Sequence, residues 1–283
     1  MTMPRPPLPR IMLEPLVRAA LLEDLGRAGD VTTDAVVPVE AQATTALVAR
    51  QHGVLAGLDL ARIAFELIEP KIVFSGQRSD GDALLPGDVI ATITGPARGI
   101  LTAERVALNF LCHLSGIASA TASVVKAVVG HKAQIVCTRK TTPGLRAVEK
   151  YAVRMGGGGN HRFGLDDAVL IKDNHIVAAG GIAAAVTRVR EGIAHMTRIE
   201  VEVDTLEQLE ECLALGVDTI LLDNMPPETL NRAVATTKGR AALEASGNVT
   251  LSTVRAIAET GVDYISSGAI THSATNLDLG LDF

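Results

Sequence analysis

From residue 131 to residue 270 the chain alternates between short apolar runs and amphipathic stretches. QIVCTRK (134–140) is a predicted strand and PGLRAVEKYAVRMG a helix; AVLIKDNH (168–175) is a strand and GGIAAAVTRVREG a helix. RIEVEVD (198–204) precedes the helix TLEQLEECLALG, capped by Thr205. DTILLDN (218–224) precedes PPETLNRAVATTKG, and AALEASGN (241–248) precedes TLSTVRAIAETG. DYISSGAI (263–270) ends the series, and GVDTILLDN and GVDYISSGA match each other as repeated strand–helix units should. Strands alternating with helices at this pitch pair in parallel. Six such units are fewer than the eight of a full barrel. The expectation is therefore an open or incomplete α/β barrel, with a doubly wound sheet as the alternative.

The first hundred residues are mixed α and β. Residues 13–25 have apolar positions at helical spacing, with Pro15 expected in the first turn, and GRAGDVTTDAVVP reads as a loop and an extended segment. Apolar or alternating runs follow at 43–50 and 52–68, and 80–96 reads as two strands joined at Pro86-Gly87. Residues 100–130 have helical period, and Gly116 is expected to divide them into two helices. A chain of 283 residues, 47% hydrophobic, can bury two cores, or a barrel and an extra part. A net charge of −6 argues against nucleic acid as a partner, and the scarcity of aromatics argues against base-stacking platforms. No run of ~18 consecutive apolar residues is present, so no membrane span is expected. The N-terminal MTMPRPPLPR lacks the apolar core of a signal peptide and reads as a loose arm. Cys112, Cys137 and Cys212 show no metal-ligand or redox spacing, which suits a reducing cytoplasm.

The chemistry collects at the C-terminal ends of the predicted strands. These carry Thr138, Arg139 and Lys140; Lys172, Asp173, Asn174 and His175; Glu202 and Asp204; Asp223 and Asn224; Glu244, Ser246, Gly247 and Asn248; and Ser266, Ser267 and Gly268. In a barrel all these ends face one mouth. Ahead of one of the strands, four glycines, Asn160, His161 and Arg162 crowd into a single turn. An acidic protein thus gathers Arg139, Lys140, Arg162 and Lys172 at one place, with His161 and His175 nearby, which implies a polyanionic ligand. The last two strand ends offer small residues ahead of helices, where barrels usually hold a phosphate. Glu202 and Asp223 could bind sugar hydroxyls, hold Mg²⁺, or act as acid and base. No residue stands out as a covalent nucleophile, with Cys137 read as a packing residue and Lys172 as a possible Schiff-base amine.

The stretches TRKTTPGLR (138–146), GGGGNHRFGLDDAVLIKDNH (156–175), EVEVDTLEQ (200–208), LLDN (221–224), EASGN (244–248) and GVDYISSGAITHS (261–273) resemble quinolinate phosphoribosyltransferase. EDLGRAGDVTT (23–33) and LTAERVALNFLCHLSGIAS (101–119) resemble it as well, so the likeness covers nearly the whole chain from about residue 14. It implies an α/β fold: an N-terminal α/β sandwich domain (1–110, with 276–283 returning to it) and a C-terminal open α/β barrel (111–275). The implied reaction joins quinolinate to 5-phosphoribosyl 1-diphosphate (PRPP) with Mg²⁺, giving nicotinate mononucleotide, diphosphate and CO₂ for NAD biosynthesis. The implied assembly is a homodimer or a hexamer built of dimers, with Arg105 reaching the partner's site.

The resemblance also implies roles. Arg105, Arg139, His161, Arg162 and Lys172 hold quinolinate, with Thr138 beside them, and Lys140 attends the diphosphate. Glu202 and Asp223 bind the ribose hydroxyls and help place Mg²⁺. Ser246, Gly247, Asn248, Ser267, Gly268 and Ala269 cradle the 5′-phosphate, supported by His272. Three rivals remain at this point: a barrel aldolase using Lys172, the related transferase associated with molybdate transport, and a catalytically silent anion-binding protein.

Overall fold

Strands in parallel sheets are covered on both faces and so read as near-continuous apolar runs. The computed structural model, which describes residues 6–283, has this pattern in the second half of the chain. Its strands are β1 Gln42–Ala49, β2 Gly53–Val54, β3 Val73–Gly76, β4 Ala83–Leu84, β5 Val89–Pro96, β6 Gln134–Val136, β7 Val169–Ile171, β8 Ile199–Val203, β9 Thr219–Asp223, β10 Ala242–Ser246, β11 Tyr264–Ser266 and β12 Leu279–Asp282. Half of the expected loose arm at the N-terminus, residues 1–5, lies outside the described residues.

The chain forms two compact units. The second holds Ser123–Thr141 and Gly158–His272. Its strands form one parallel sheet in the order β6-β11-β10-β9-β8-β7. β6 and β7 are the two edges and do not pair with each other, so the barrel is open. The free side of β6 is occupied by an irregular segment: the Gly159 amide donates to the Ile135 carbonyl (2.7 Å), and the Cys137 amide donates to the Gly159 carbonyl (3.2 Å). This is the incomplete barrel that six units imply. On β8, Val201 and Val203 face one way and Glu200 and Glu202 the other, because side chains alternate along a strand. The helix Leu206–Leu215 starts at Thr205, whose hydroxyl accepts from the Gln208 amide (3.3 Å), and it stops at Gly216 in the left-handed region (φ 63°).

β7 is shorter than the sequence suggests. It ends at Ile171, and Asp173–Ala179 is a short helix. Asp173, Asn174 and His175 therefore build a helix start, with the Lys172 amide donating to His175 Nδ1 (2.9 Å), and do not extend the strand.

The first unit holds the residues up to Ala122, Thr142–Gly157 and Ser273–Phe283. Its antiparallel sheet has the order β12-β1-β5-β3, with β12 bringing the chain end onto β1 through pairs such as Leu47↔Leu281. The helix Arg146–Met155, read in the sequence as the partner of β6, belongs to this unit. Its Tyr151 hydroxyl donates to Asp80 (2.8 Å), and a Cβ on Gly156, just past its end, would lie 2.3 Å from the Ala118 carbonyl oxygen.

Three further expectations are corrected. Ala97–Ala127 is one unbroken helix where two were expected. Gly116 does not break it; a Cβ there would lie 2.2 Å from the Thr275 carbonyl oxygen, so the glycine serves close packing. The first helix starts at Arg10, which puts Pro15 in its second turn. The missing N–H leaves the Ile11 carbonyl without a helical partner on an exposed residue, where water can serve it. Val31–Val36 is helical, because Asp30 accepts the Thr33 amide (2.9 Å) and starts a turn. The expectation of no membrane span is not among these: Ala97–Ala127 is long and apolar enough by composition to cross a membrane, as the buried core helix of a compact unit can be, and it has no uninterrupted apolar run of ~18 residues. Small residues among the leucines and valines keep its mean hydropathy high, and Ile100, Leu111, Leu114 and Ile117 are buried within the protein.

Candidate active site

At the C-terminal ends of the barrel strands lies a cavity of about 730 Å³. Fifteen of the sixteen residues to which the resemblance gives a role line it, from every strand end, whereas Asp173, Asn174, His175 and Asp204 do not. Thr138, Arg139 and Lys140 follow β6, and His161 and Arg162 come from the segment beside it. Lys172 follows β7, Glu202 lies on β8 and Asp223 ends β9. Ser246 ends β10 and leads into Gly247 and Asn248, while Ser267, Gly268, Ala269 and His272 follow β11. Arg105 is the exception: it is exposed on the helix Ala97–Ala127, in the first unit.

The cations are held in place by different means. Lys172 Nζ lies 2.5 Å from Glu202 Oε2. Schiff-base chemistry would require Lys172 to leave this ion pair. Arg162 donates to the Ala168 carbonyl (3.0 Å), while its Nε has no partner. Burial, and then the charge of Arg139, lower its pKa from the ordinary value. Two guanidiniums that repel each other at a cavity wall are relieved by an anion between them. Lys140 lies along Gly268, where a Cβ would come within 2.9 Å of its Cδ, and its carbonyl accepts the Thr271 hydroxyl (2.7 Å).

Beside these cations, the turn after β10 is held open by backbone geometry. Gly247 (φ 97°), Asn248 (φ 49°) and Asn224 (φ 52°) all occupy the left-handed region. A Cβ on Gly247 would lie 2.1 Å from Asn224 Oδ1, so the position requires glycine. Asn224 Nδ2 donates to Asp223 (2.7 Å), its Oδ1 accepts from Asn248 (3.3 Å), and its amide donates to the Ser246 carbonyl (2.8 Å). Asn224 thus ties a carboxylate to the small-residue cradle, a role that its place at the end of LLDN did not reveal.

Beneath the mouth is a buried layer that the sequence reading missed. His161 Nε2 lies 2.8 Å from Glu200 Oε2 and 3.7 Å from Glu244 Oε1. The Arg162 amide donates to His161 Nδ1 (2.8 Å), which leaves the ring proton on Nε2, pointing at Glu200. His161 therefore lines the cavity with both ring nitrogens engaged inside the protein. The three side chains lie close enough to hold a metal ion, but a protonated Nε2 cannot be a ligand. The available signal was the spacing E-V-E, which places Glu200 one layer below Glu202 on the same face of β8. Burial, and then the charge of Glu200, push the Glu244 carboxyl up to about 7.

A carboxyl raised from 4.5 to about 7 makes the folded state bind more protons than the unfolded one between those values, so stability falls as pH rises through that window. Glu244→Gln removes the buried charge. Thermal melts are expected to show the variant more stable than the parent at pH 8.5, by roughly 1–3 kcal/mol, with the gain vanishing toward pH 5. A gain that does not depend on pH would count against a buried carboxylate here.

Residues 30–115 match the family model "Quinolinate phosphoribosyl transferase, N-terminal domain", and residues 117–282 match "Quinolinate phosphoribosyl transferase, C-terminal domain". The chain belongs to this family. It is 47% identical to the nicotinate-nucleotide pyrophosphorylase [carboxylating] of Mycobacterium leprae, over 94% of this chain and 95% of that one. It is 44% identical to a probable enzyme of the same name from Bacillus subtilis, over 96% and 93%. The crystal structure of NadC from Streptococcus pyogenes superposes with a TM-score of 0.95 at 44% identity, covering 98% of each chain.

Proposed function

We propose that the chain transfers the phosphoribosyl group of PRPP to the ring nitrogen of quinolinate, releasing diphosphate and CO₂ and giving nicotinate mononucleotide for NAD biosynthesis. The family supports this reaction, and one observation carries it at the level of residues. A protein of net charge −6 places Arg139, Lys140, Arg162 and Lys172 around one cavity of about 730 Å³. Two carboxylates, a 5′-phosphate and a diphosphate are the anions such a mouth suits.

Arg139 and Arg162, with Thr138, Lys172 and the His161 ring as wall, receive the quinolinate carboxylates. Lys140 attends the diphosphate, and Ser246, Gly247, Asn248, Ser267, Gly268 and Ala269, backed by His272, hold the 5′-phosphate. Glu202 and Asp223 face the ribose. Their hard oxygen donors at an open mouth fit Mg²⁺, which neutralises charge on the leaving diphosphate when bound. The bond to the departing diphosphate breaks with oxocarbenium character at the ribose, so fixed charge and positioning do most of the work. No protein nucleophile is required. We further place the protein in the cytoplasm, in keeping with its three free cysteines, as a homodimer or a hexamer of dimers in which Arg105 enters the neighbouring site.

Incubation with quinolinate, PRPP and Mg²⁺ is expected to yield nicotinate mononucleotide and diphosphate; no product would sink the reading. Nicotinate, one carboxylate short, leaves a desolvated cation unpaired at a cost of roughly 3–5 kcal/mol. Its kcat/KM is therefore expected to be at least about 100-fold lower than that of quinolinate. Comparable turnover of the two acids would contradict a two-carboxylate pocket.

A further inference from the structure

Thr271 does not line the mouth, yet its hydroxyl joins two segments that do. It lies in the single turn of helix Ala269–His272 that follows β11, and it is 2% exposed. Its hydroxyl donates to the Lys140 carbonyl (2.7 Å).

The segment after β6 needs such a bond. β6 ends at Val136, and from Thr138 to Lys140 the backbone follows neither strand nor helix. Its turn is closed locally: the Lys140 amide donates to the Thr138 hydroxyl (3.0 Å) and the Thr141 amide to the Arg139 carbonyl (3.0 Å). Bonds within a segment shape it without fixing it against the rest of the barrel. The bond from Thr271 fixes it, because it crosses to the residues that follow β11. The hydroxyl has one proton and two carbonyls in reach, those of Lys140 (2.7 Å) and Gly268 (3.0 Å). The Gly268 carbonyl already accepts the amides of Thr271 (3.1 Å) and His272 (3.0 Å), so the proton serves Lys140. The lysine stem is seated on the same segment: a Cβ on Gly268 would lie 2.9 Å from Lys140 Cδ and 3.1 Å from His272 Cδ2.

The proposed function, on which this inference rests, gives the two segments opposite ends of one substrate. The residues after β11 take the 5′-phosphate of PRPP, and Lys140 takes the diphosphate. We propose that Thr271 is a positioning residue that fixes Lys140 to the 5′-phosphate cradle, so that both ends of PRPP meet groups held at one spacing. A lysine ordered beforehand loses little freedom when the substrate arrives, whereas one on a loose segment must be ordered by it. Thr271→Val keeps the shape of the side chain, removes the donor and leaves the Lys140 carbonyl unpaired.

The test measures two fragments of PRPP separately by calorimetry on the intact chain: diphosphate with Mg²⁺, and ribose 5-phosphate. Thr271→Val is expected to weaken diphosphate at least about tenfold and ribose 5-phosphate less than about threefold, with kcat/KM for PRPP falling at least about tenfold. Thr271→Ser keeps the hydroxyl and is expected to stay within about threefold of the parent in all three. In the Lys140→Ala protein, adding Thr271→Val should cost less than about a further threefold in diphosphate affinity, because Thr271 acts through that lysine. Equal weakening of both fragments, losses that add to those of Lys140→Ala, or unchanged diphosphate affinity in Thr271→Val would each overturn the proposal. If Thr271→Val does not fold, Thr271→Ala takes its place; failure of both to fold would overturn it too, since the hydroxyl would then hold the barrel itself. A parent protein that binds neither fragment and does not consume PRPP would be failure of the proposed function instead.

Discussion

Arg139→Ala and Arg162→Ala are each expected to lower kcat/KM for quinolinate by about two to three orders of magnitude while the protein stays folded. The estimate comes from leaving one substrate carboxylate unpaired in a desolvated wall, roughly 3–5 kcal/mol. Neither arginine is a core residue: both line the mouth and are only partly buried, so truncation opens no cavity in the apolar interior. Arg162 is also disfavoured as a cation by burial and by Arg139, so its loss relieves repulsion in the empty protein. Melting temperatures within about 3 °C of the parent are expected alongside the lost activity. Near-normal kcat/KM in either variant, with an unchanged melting temperature, would remove that residue from the site. Parallel loss of stability and activity would assign it a structural role.

Activity restored by mixing two dead proteins is the second large effect expected. Arg105 is exposed on the helix Ala97–Ala127, and the cavity residues all belong to the second unit. If Arg105 completes a neighbour's site, an Arg105→Ala/Lys140→Ala hybrid dimer has one site with both defects and one with neither. Random reassortment makes about half the dimers hybrid, each with one intact site, so recovered activity approaches about a quarter of the parent's. Subunit exchange is checked independently, by mass-tagged subunits. Verified exchange with no recovered activity would mean that Arg105 acts in its own subunit or not at all, and the shared-site model would fail.

The chain itself determined the barrel, because period-two and period-3.6 apolar patterns in alternation leave few ways to bury both kinds of face. It also determined which side chains meet at the mouth. Parallel strands bring their C-terminal ends to one side, so reading Arg139, Lys172, Glu202, Asp223 and Asn248 at strand ends was already a statement about a cavity. Local rules failed where contacts distant in sequence prevailed. Gly116 looked like a helix breaker, yet the Thr275 backbone lies against it and the helix continues. The helix Arg146–Met155 looked like the partner of β6, yet Tyr151 anchors it to Asp80 in the other unit. The buried layer was the deepest omission. E-V-E shows that Glu200 and Glu202 share a face, but only the pairing of β8, β9, β10, β11 and β6, with the segment beside β6, places Glu200, Glu244 and His161 together out of water. A carboxyl's proton affinity is set by the charges and the dryness around it, and those neighbours come from segments some forty residues apart, so tertiary structure alone decides it.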